Sequence, residues 1–277
     1  MKVLVLVLIC LGAVQGFNLK EADYRVVNAF AAYCASSALH SWNCFWCNES
    51  SVSVVDVVEN TTTFTSAFVG IDHTHNEVIA SFRGTIKTSI QNWITDLDLI
   101  QTQPYSTLPN VSVHEGFWKA YLSISTRFIK ALKTAIASCP GCSRTVYTGH
   151  SLGGALASLA LMDAVYYYQI PQPTPILYTF GQPRTGDSGW AQFMQQLTGS
   201  ITRVVHNNDI VPHVPPKDFG YYHTPVEIWM PTGSVPYIVC DNSGEDPNCS
   251  DSKINLSVPD HLFYVGHNQT IGSEHGC

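Results

Sequence analysis

Gly149-His150-Ser151-Leu152-Gly153 is a G-x-S-x-G arrangement, a serine flanked by glycines that leave room for a sharp turn. A serine hydroxyl is a weak nucleophile near neutral pH, so chemistry at Ser151 needs a histidine base and a carboxylate to orient it. The surroundings fit a nucleophile elbow. Thr145-Val146-Tyr147-Thr148 is a short β run before it, and a helix of small residues, 153–161, follows it. The plainer reading is a glycine-rich turn that packs a helix on a sheet.

In folds that use such an elbow the partners follow in the order Ser, acid, His. Asp209 comes just past a predicted strand at its C-terminal end, where open parallel sheets place their sites. Its rivals are Asp163 inside a helix, Asp187 in a Gly-rich turn, and Asp241, Asp246 and Asp251 in a Cys-bracketed loop. Six histidines follow Ser151. His206, His213 and His223 crowd around Asp209 and suit structural roles, while His267 and His275 lie near a polar terminus. His261 stands where polar residues give way to an apolar run, the profile of a loop entering an ordered segment. The residues alone favour His261 without excluding the others.

The elements that would position these groups alternate. An amphipathic helix is predicted over 21–38, β-rich runs over 52–58, 64–71 and 77–82, and a long helix over 116–138. A strand over 145–148, a helix over 151–168, a strand over 176–180, a helix over 189–197 and a strand over 201–206 complete the series. Strand and helix in alternation predict an α/β fold, a parallel sheet with helices on both faces.

Of the 277 residues, 45% are apolar and 13% charged, enough to build a core and against disorder or a coiled coil. Lys and Arg number 14 against 21 Asp and Glu with no basic run, which leaves a nucleic-acid backbone no electrostatic footprint. Length allows one domain or two, but no linker or repeat divides residues 17–277. Residues 1–16 carry one Lys, an apolar run and the small-residue exit Val14-Gln15-Gly16, the layout of a cleavable signal peptide with the mature chain beginning at Phe17. The apolar run is well short of the ~20 residues that span a bilayer, and no later stretch is long enough. Secretion to the extracellular space is expected, or delivery to the lumen of a digestive or lysosome-like compartment. Asn48, Asn60, Asn110, Asn248, Asn255 and Asn268 each begin a glycosylation sequon, which agrees with that route. Of nine cysteines, Cys10 leaves with the signal, and the remaining eight read as disulfides in an oxidising compartment. The pairs Cys44-x-x-Cys47 and Cys139-x-x-Cys142 have a zinc or redox spacing as their competing explanation.

Seven motifs in order give a specific likeness. They are Ser81-Phe82-Arg83-Gly84-Thr85, Asn92-Trp93-Ile94-Thr95-Asp96-Leu97, Val113-His114-Glu115-Gly116-Phe117, the stretch from Thr148 to Ala155, Thr179-Phe180-Gly181-Gln182-Pro183-Arg184, the stretch from Asn208 to Pro216, and Asp260-His261-Leu262-Phe263-Tyr264. The sequence resembles the fungal-type class 3 lipase family, the Rhizomucor-like lipases of the α/β-hydrolase superfamily, over residues 21–277. The resemblance implies Ser151 as nucleophile, Asp209 as orienting acid and His261 as base. It implies an oxyanion hole from Thr85 and the Leu152 backbone N–H, with Asp96 supporting the Thr85 hydroxyl. A surface charge explains Asp96 equally well.

Residues 86–99 hold Ile90, Trp93, Ile94 and Leu97 at i, i+3, i+4 and i+7, an amphipathic stripe that a core-packing helix would also show. The family places its lid here. Residues 86–89 look about two residues longer than the family pattern. Related feruloyl esterases are more polar in this segment, so the apolar stripe points to long-chain acyl esters.

Family pairing implies the disulfides Cys34–Cys277, Cys44–Cys47 and Cys240–Cys249, and the two left over, Cys139 and Cys142, then pair with each other. The expectation is a secreted triacylglycerol lipase working through an acyl-enzyme. It has no metal and no organic cofactor, and acts as a monomer on lipid at an oil–water or membrane interface. A phospholipase A1 or galactolipase, a feruloyl-type esterase, or a silent lipid-binding relative are the alternatives.

Overall fold

The computed structural model describes residues 16–49, 51–86, 90–232 and 236–277. The expected signal peptide, Cys10 included, lies outside these residues but for Gly16, as do the hinge positions Lys87, Thr88 and Ser89.

Helix α1 (Leu19–Ala31) starts where the Asn18 side chain accepts from the Lys20 and Glu21 N–H groups, satisfying donors that a helix start leaves open. The predicted helix over 21–38 breaks at Tyr33-Cys34, and a short α2 (Ser36–His40) follows. Tyr33 there reaches His150, and Cys34 joins Cys277, so the turn serves contacts that periodicity does not register.

Strands β1 (Val52–Asn60), β2 (Thr65–Asp72) and β3 (Glu77–Phe82) form an antiparallel meander. After them come the short helix α3 (Ile90–Thr95) and the two-residue strands β4 (Gln101–Thr102) and β5 (Val113–His114), paired with each other. Helix α4 (Glu115–Ser138) leads to β6 (Arg144–His150), and α5 (Leu152–Met162) continues as one π-helical turn over Asp163–Tyr167. That turn departs from the uninterrupted helix expected over 151–168, at Asp163, whose carboxylate takes hydrogen bonds from Tyr105 and Tyr121. Strand β7 (Thr174–Phe180), helix α6 (Ser188–Leu197) and strand β8 (Ile201–His206) follow. Strands β9 (Glu227–Met230) and β10 (Ile238–Val239) extend the sheet edge without having been expected. Helix α7 (Val258–His261), the hairpin β11 (Phe263–Tyr264) and β12 (His267–Asn268), and helix α8 (Gln269–Glu274) complete the described chain.

The main sheet runs β1-β2-β3-β6-β7-β8-β9-β10. From β3 to β9 all pairings are parallel, so the α/β-hydrolase expectation of a mostly parallel centre holds. Alternation along the strands divides the core. Val78, Ala80 and Phe82 face the cluster under α4, α5 and α6, while Ile79 joins Phe68, Phe180 and Val204 under α1. Disulfides join Cys34 to Cys277, Cys44 to Cys47, Cys139 to Cys142 and Cys240 to Cys249, so both C-x-x-C pairs are closed as bridges. Among the described residues no helix is long and apolar enough to cross a membrane.

Candidate active site

The last residue of β6 is His150, and Ser151 turns the chain into α5 with φ 61° and ψ −137°. A positive φ is costly for a side-chain residue. The flanking glycines make the turn possible: a Cβ on Gly149 would come 2.4 Å from the Gly153 backbone, and one on Gly153 would come 2.1 Å from the Phe82 carbonyl oxygen. The Ser151 N–H donates to the Phe180 carbonyl at 2.9 Å, pinning the elbow to β7. The small-residue helix predicted after Ser151 is α5, buried from Gly153 to Met162.

Asp209 sits in the turn after β8, with its N–H donating to the His206 carbonyl at 2.9 Å. His261 ends α7, whose start is capped by the Ser257 hydroxyl accepting from Asp260 N–H. Two backbone bonds tie these segments together: Ser257 N–H donates to Asn208 O at 2.7 Å, and Ile210 N–H to Ser257 O at 3.3 Å. His261 Nδ1 lies 3.0 and 2.8 Å from the two Asp209 carboxylate oxygens, and both side chains are fully buried. Burial alone would raise the Asp209 carboxyl. His261, the Tyr264 hydroxyl that donates to Oδ2 and the Val211 N–H that donates to Oδ1 together hold it below its ordinary value. The imidazole Nε2 and the Ser151 Oγ are both buried without a hydrogen-bond partner, polar groups left open for a reacting species.

Other histidines are accounted for elsewhere. His206 Nδ1 donates to the Asp260 carbonyl, His223 Nε2 to the Pro212 carbonyl, and His213 stands 3.8 Å from Asp251. His267 pairs with Asp23, and His275 stacks on Phe45. Of the rival carboxylates, Asp187 caps α6, and Asp241 and Asp246 accept backbone N–H groups within their own loop. Asp163 is enclosed by two tyrosines, and Asp251 is ion-paired to Arg184 and Lys217.

Thr85 follows β3 and Gly84, and a Cβ on Gly84 would come 3.0 Å from Ser151 Cβ. This places the Thr85 backbone beside the nucleophile. The Thr85 Oγ1 is buried with no partner, and Leu152 begins α5, where the first N–H groups have no acceptor inside the helix. Together they can present donors to an oxyanion. The support expected from Asp96 is not made in this arrangement, since Asp96 is exposed and Thr85 Oγ1 is unpartnered.

The lid stripe departs from a helix over the whole of 86–99. Among the described residues of this segment the helix covers Ile90–Thr95 and does not continue to Leu99, where the Asp98 carboxylate accepts the Ile100 N–H and competes with continuing helix. Trp93 stacks on Phe117 with centroids 6.2 Å apart, and Trp93 and Leu97 pack half-buried against the core under α4, while Ile90 and Ile94 stay half-exposed. Beyond the helix the chain is tethered: His114 Nε2 donates to the Asp98 carbonyl, and the Tyr221 hydroxyl donates to Leu99 and Ile100 carbonyls.

Two tyrosines in the site had no separate role assigned from sequence. Tyr264 lay inside the Asp260-to-Tyr264 motif, so its place was visible and its hydrogen bond was not. Tyr33 carried no local signal at all. Among the sequons, Asn48, Asn110, Asn248 and Asn255 are exposed, while the Asn60 and Asn268 side chains accept backbone N–H groups as turn and helix caps.

The family described as Lipase (class 3) matches residues 79–219. A secreted mono- and diacylglycerol lipase from Fusarium solani is 34% identical over 261 residues, 89% of this chain and 76% of that protein. A lipase from Rhizomucor miehei is 31% identical over 256 residues, covering 91% of this chain and 69% of its own. The structure of lipase II from Rhizopus niveus superposes with a TM-score of 0.82 at 29% identity, covering 90% of this chain and 95% of that one. The residues that the family model matches contain the serine elbow and Asp209. The chain belongs to the class 3 lipase family.

Proposed function

We propose that the protein is a secreted lipase that cleaves fatty acyl esters of glycerolipids, with Ser151 as nucleophile, His261 as base and Asp209 as its orienting acid. The carrying observation is a buried His261 paired through Nδ1 to Asp209, while its Nε2 and the Ser151 hydroxyl are both left without partners. Ser151 attacks the ester carbonyl as His261 takes its proton. The oxyanion is met by the Thr85 N–H and hydroxyl and by the Leu152 N–H. His261⁺ then protonates the leaving alcohol, and water enters on the same base to release the fatty acid.

Triacylglycerol is the leading substrate, because the half-exposed apolar helix α3, which follows Thr85 in the chain, suits a lipid surface. Diacylglycerol and monoacylglycerol belong in the same panel, given the name of the Fusarium relative. On this reading residues 1–16 are a leader removed on secretion, residues 17–277 form a single domain, and the enzyme acts as a monomer at an oil–water or membrane interface. The test is hydrolysis of emulsified triolein and of a soluble p-nitrophenyl ester by the native protein and by Ser151→Ala. Activity abolished by the substitution on both substrates is the expected result, and equal rates for the two proteins would overturn the reading.

A further inference from the structure

Two buried hydrogen bonds run in series from the end of α1 to the backbone of His261. The Tyr33 hydroxyl lies 3.0 Å from His150 Nδ1, and His150 Nε2 lies 2.7 Å from the His261 carbonyl oxygen. A carbonyl oxygen only accepts, so His150 carries its proton on Nε2. Burial and His261 keep the ring neutral, so its Nδ1 is a lone pair and Tyr33 is the donor to it. The chain then runs from Tyr33 O–H to His150 Nδ1 at 3.0 Å, with the His150 carbonyl at 3.4 Å the more distant acceptor, and from His150 Nε2–H to His261 O.

The same phenol backs the other wall of the site. A Cβ on Gly84, directly before Thr85, would come 2.1 Å from the Tyr33 oxygen. Tyr33 therefore touches the segment carrying Thr85 and the residue preceding Ser151. The His150 ring lies nearly parallel to the His261 ring, with centroids 4.4 Å apart and planes at 28°. Phe30 and Tyr264 meet the His150 ring edge-on, so it has no room to tumble. The titratable groups around it are Tyr33, His261, Tyr264 of β11 and Asp209 of the β8 turn.

Resting on the reading of His261 as the base, we propose that Tyr33 and His150 are a positioning pair. Tyr33, donating to Nδ1, steadies the ring in the neutral Nε2–H tautomer that the His261 carbonyl selects, and that tautomer anchors the His261 backbone and gives its imidazole a neutral wall. Neutrality matters at one moment. When His261 takes the serine proton it becomes a cation, and a second cation stacked on it would oppose that step. Burial and the neighbouring His261 already push His150 down to about 3, so the wall stays uncharged across the working range. The Cys34–Cys277 bridge, adjacent to Tyr33 in the chain, fixes the end of α1 from which the phenol reaches in.

The test is Tyr33→Phe, which keeps the ring and removes only the donor. On a soluble p-nitrophenyl ester kcat should fall roughly ten- to a hundredfold, as expected for a base held slightly out of place. KM should stay nearly unchanged, because ester binding does not use the phenol. In parallel, NMR of 15N-histidine-labelled protein should show His150 as neutral Nε2–H near neutral pH in the native protein, with the Nδ1 resonance shifted in Tyr33→Phe, where no phenol donates to it. A Ser151→Ala variant that retains activity would sink the triad reading. A silent Ser151→Ala beside a Tyr33→Phe enzyme with native kcat, KM and His150 Nδ1 shift would overturn the positioning pair alone. If Tyr33→Phe does not fold, the native spectrum decides: His150 found as Nδ1–H or as imidazolium near neutral pH refutes the proposal.

Discussion

At the scale of single residues, the site separates groups that make bonds from groups that aim them. Asp209 meets His261 at Nδ1, so in the proposed mechanism its work is to fix the tautomer and stabilise the imidazolium. Asp209→Asn should therefore fold normally, by circular dichroism, and lose about 10⁴-fold in kcat. Thr85 is the sharper case, because its hydroxyl is buried and unpartnered in this arrangement. Thr85→Val keeps the shape and removes that donor, at a cost of about 3 kcal/mol in barrier, while Thr85→Ser should keep most of the rate; kcat on a soluble ester measures both. A Val variant as fast as native would assign the oxyanion contact to the backbone alone. Ser151 and Asp209 were legible in the chain because turn glycines and a strand end are local signals. His261 was one of six candidates until the likeness to a family singled it out, since which imidazole reaches a carboxylate depends on how loops fold back.

At the scale of elements, α3 is a short amphipathic helix whose C-terminal side is tethered. Trp93 leans on Phe117, and the segment beyond it is tied by His114 and Tyr221 to β5 and to the loop before β9. Trp93→Ser should lower the rate on emulsified triolein several-fold relative to the rate on a monomeric ester, since the tryptophan carries much of the apolar face that would meet lipid. An unchanged ratio would remove α3 from interfacial binding. Strand periods and the long helix α4 were readable from sequence within a residue or two. The break after α1, the π-turn after α5 and the early end of α3 were not. Each is set by a partner distant in sequence or by a side chain competing for backbone groups: Cys277 for Cys34, Tyr105 and Tyr121 for Asp163, and the Asp98 carboxylate itself.

At the scale of the whole molecule, the Cys34–Cys277 bridge links residues 243 apart and Cys44–Cys47 only three. Loop-closure entropy makes the first worth up to about 5 kcal/mol and the second far less, so replacing Cys34 and Cys277 by Ser should lower the thermal midpoint much more than replacing Cys44 and Cys47. Acid acts through the buried imidazoles. His150 is held down from 6.5 to about 3 by burial and by His261, and burial also lowers His114, His213 and His223. The unfolded chain therefore binds more protons below about pH 6.5, and stability falls as pH drops from there, by up to about 1.4 kcal/mol per pH unit for His150 until its folded value is passed. Asp209, with its folded value depressed, adds stability that is present above about pH 4 and is lost only below it. Urea midpoints measured from neutral to mildly acidic pH should decline throughout, and a flat profile would contradict neutral buried histidines. The sequence by itself determined the α/β alternation, the serine elbow and an even set of bridging cysteines, because period, glycine placement and cysteine count are properties of neighbours along the chain. Only the tertiary structure decided which histidine meets Asp209, that Asp96 stands apart from Thr85, and that Tyr33 reaches across to His150. The Asp209–His261 and Tyr33–His150 contacts join residues 52 and 117 positions apart, and only packing fixes the direction of a hydroxyl or an imidazole over such a span.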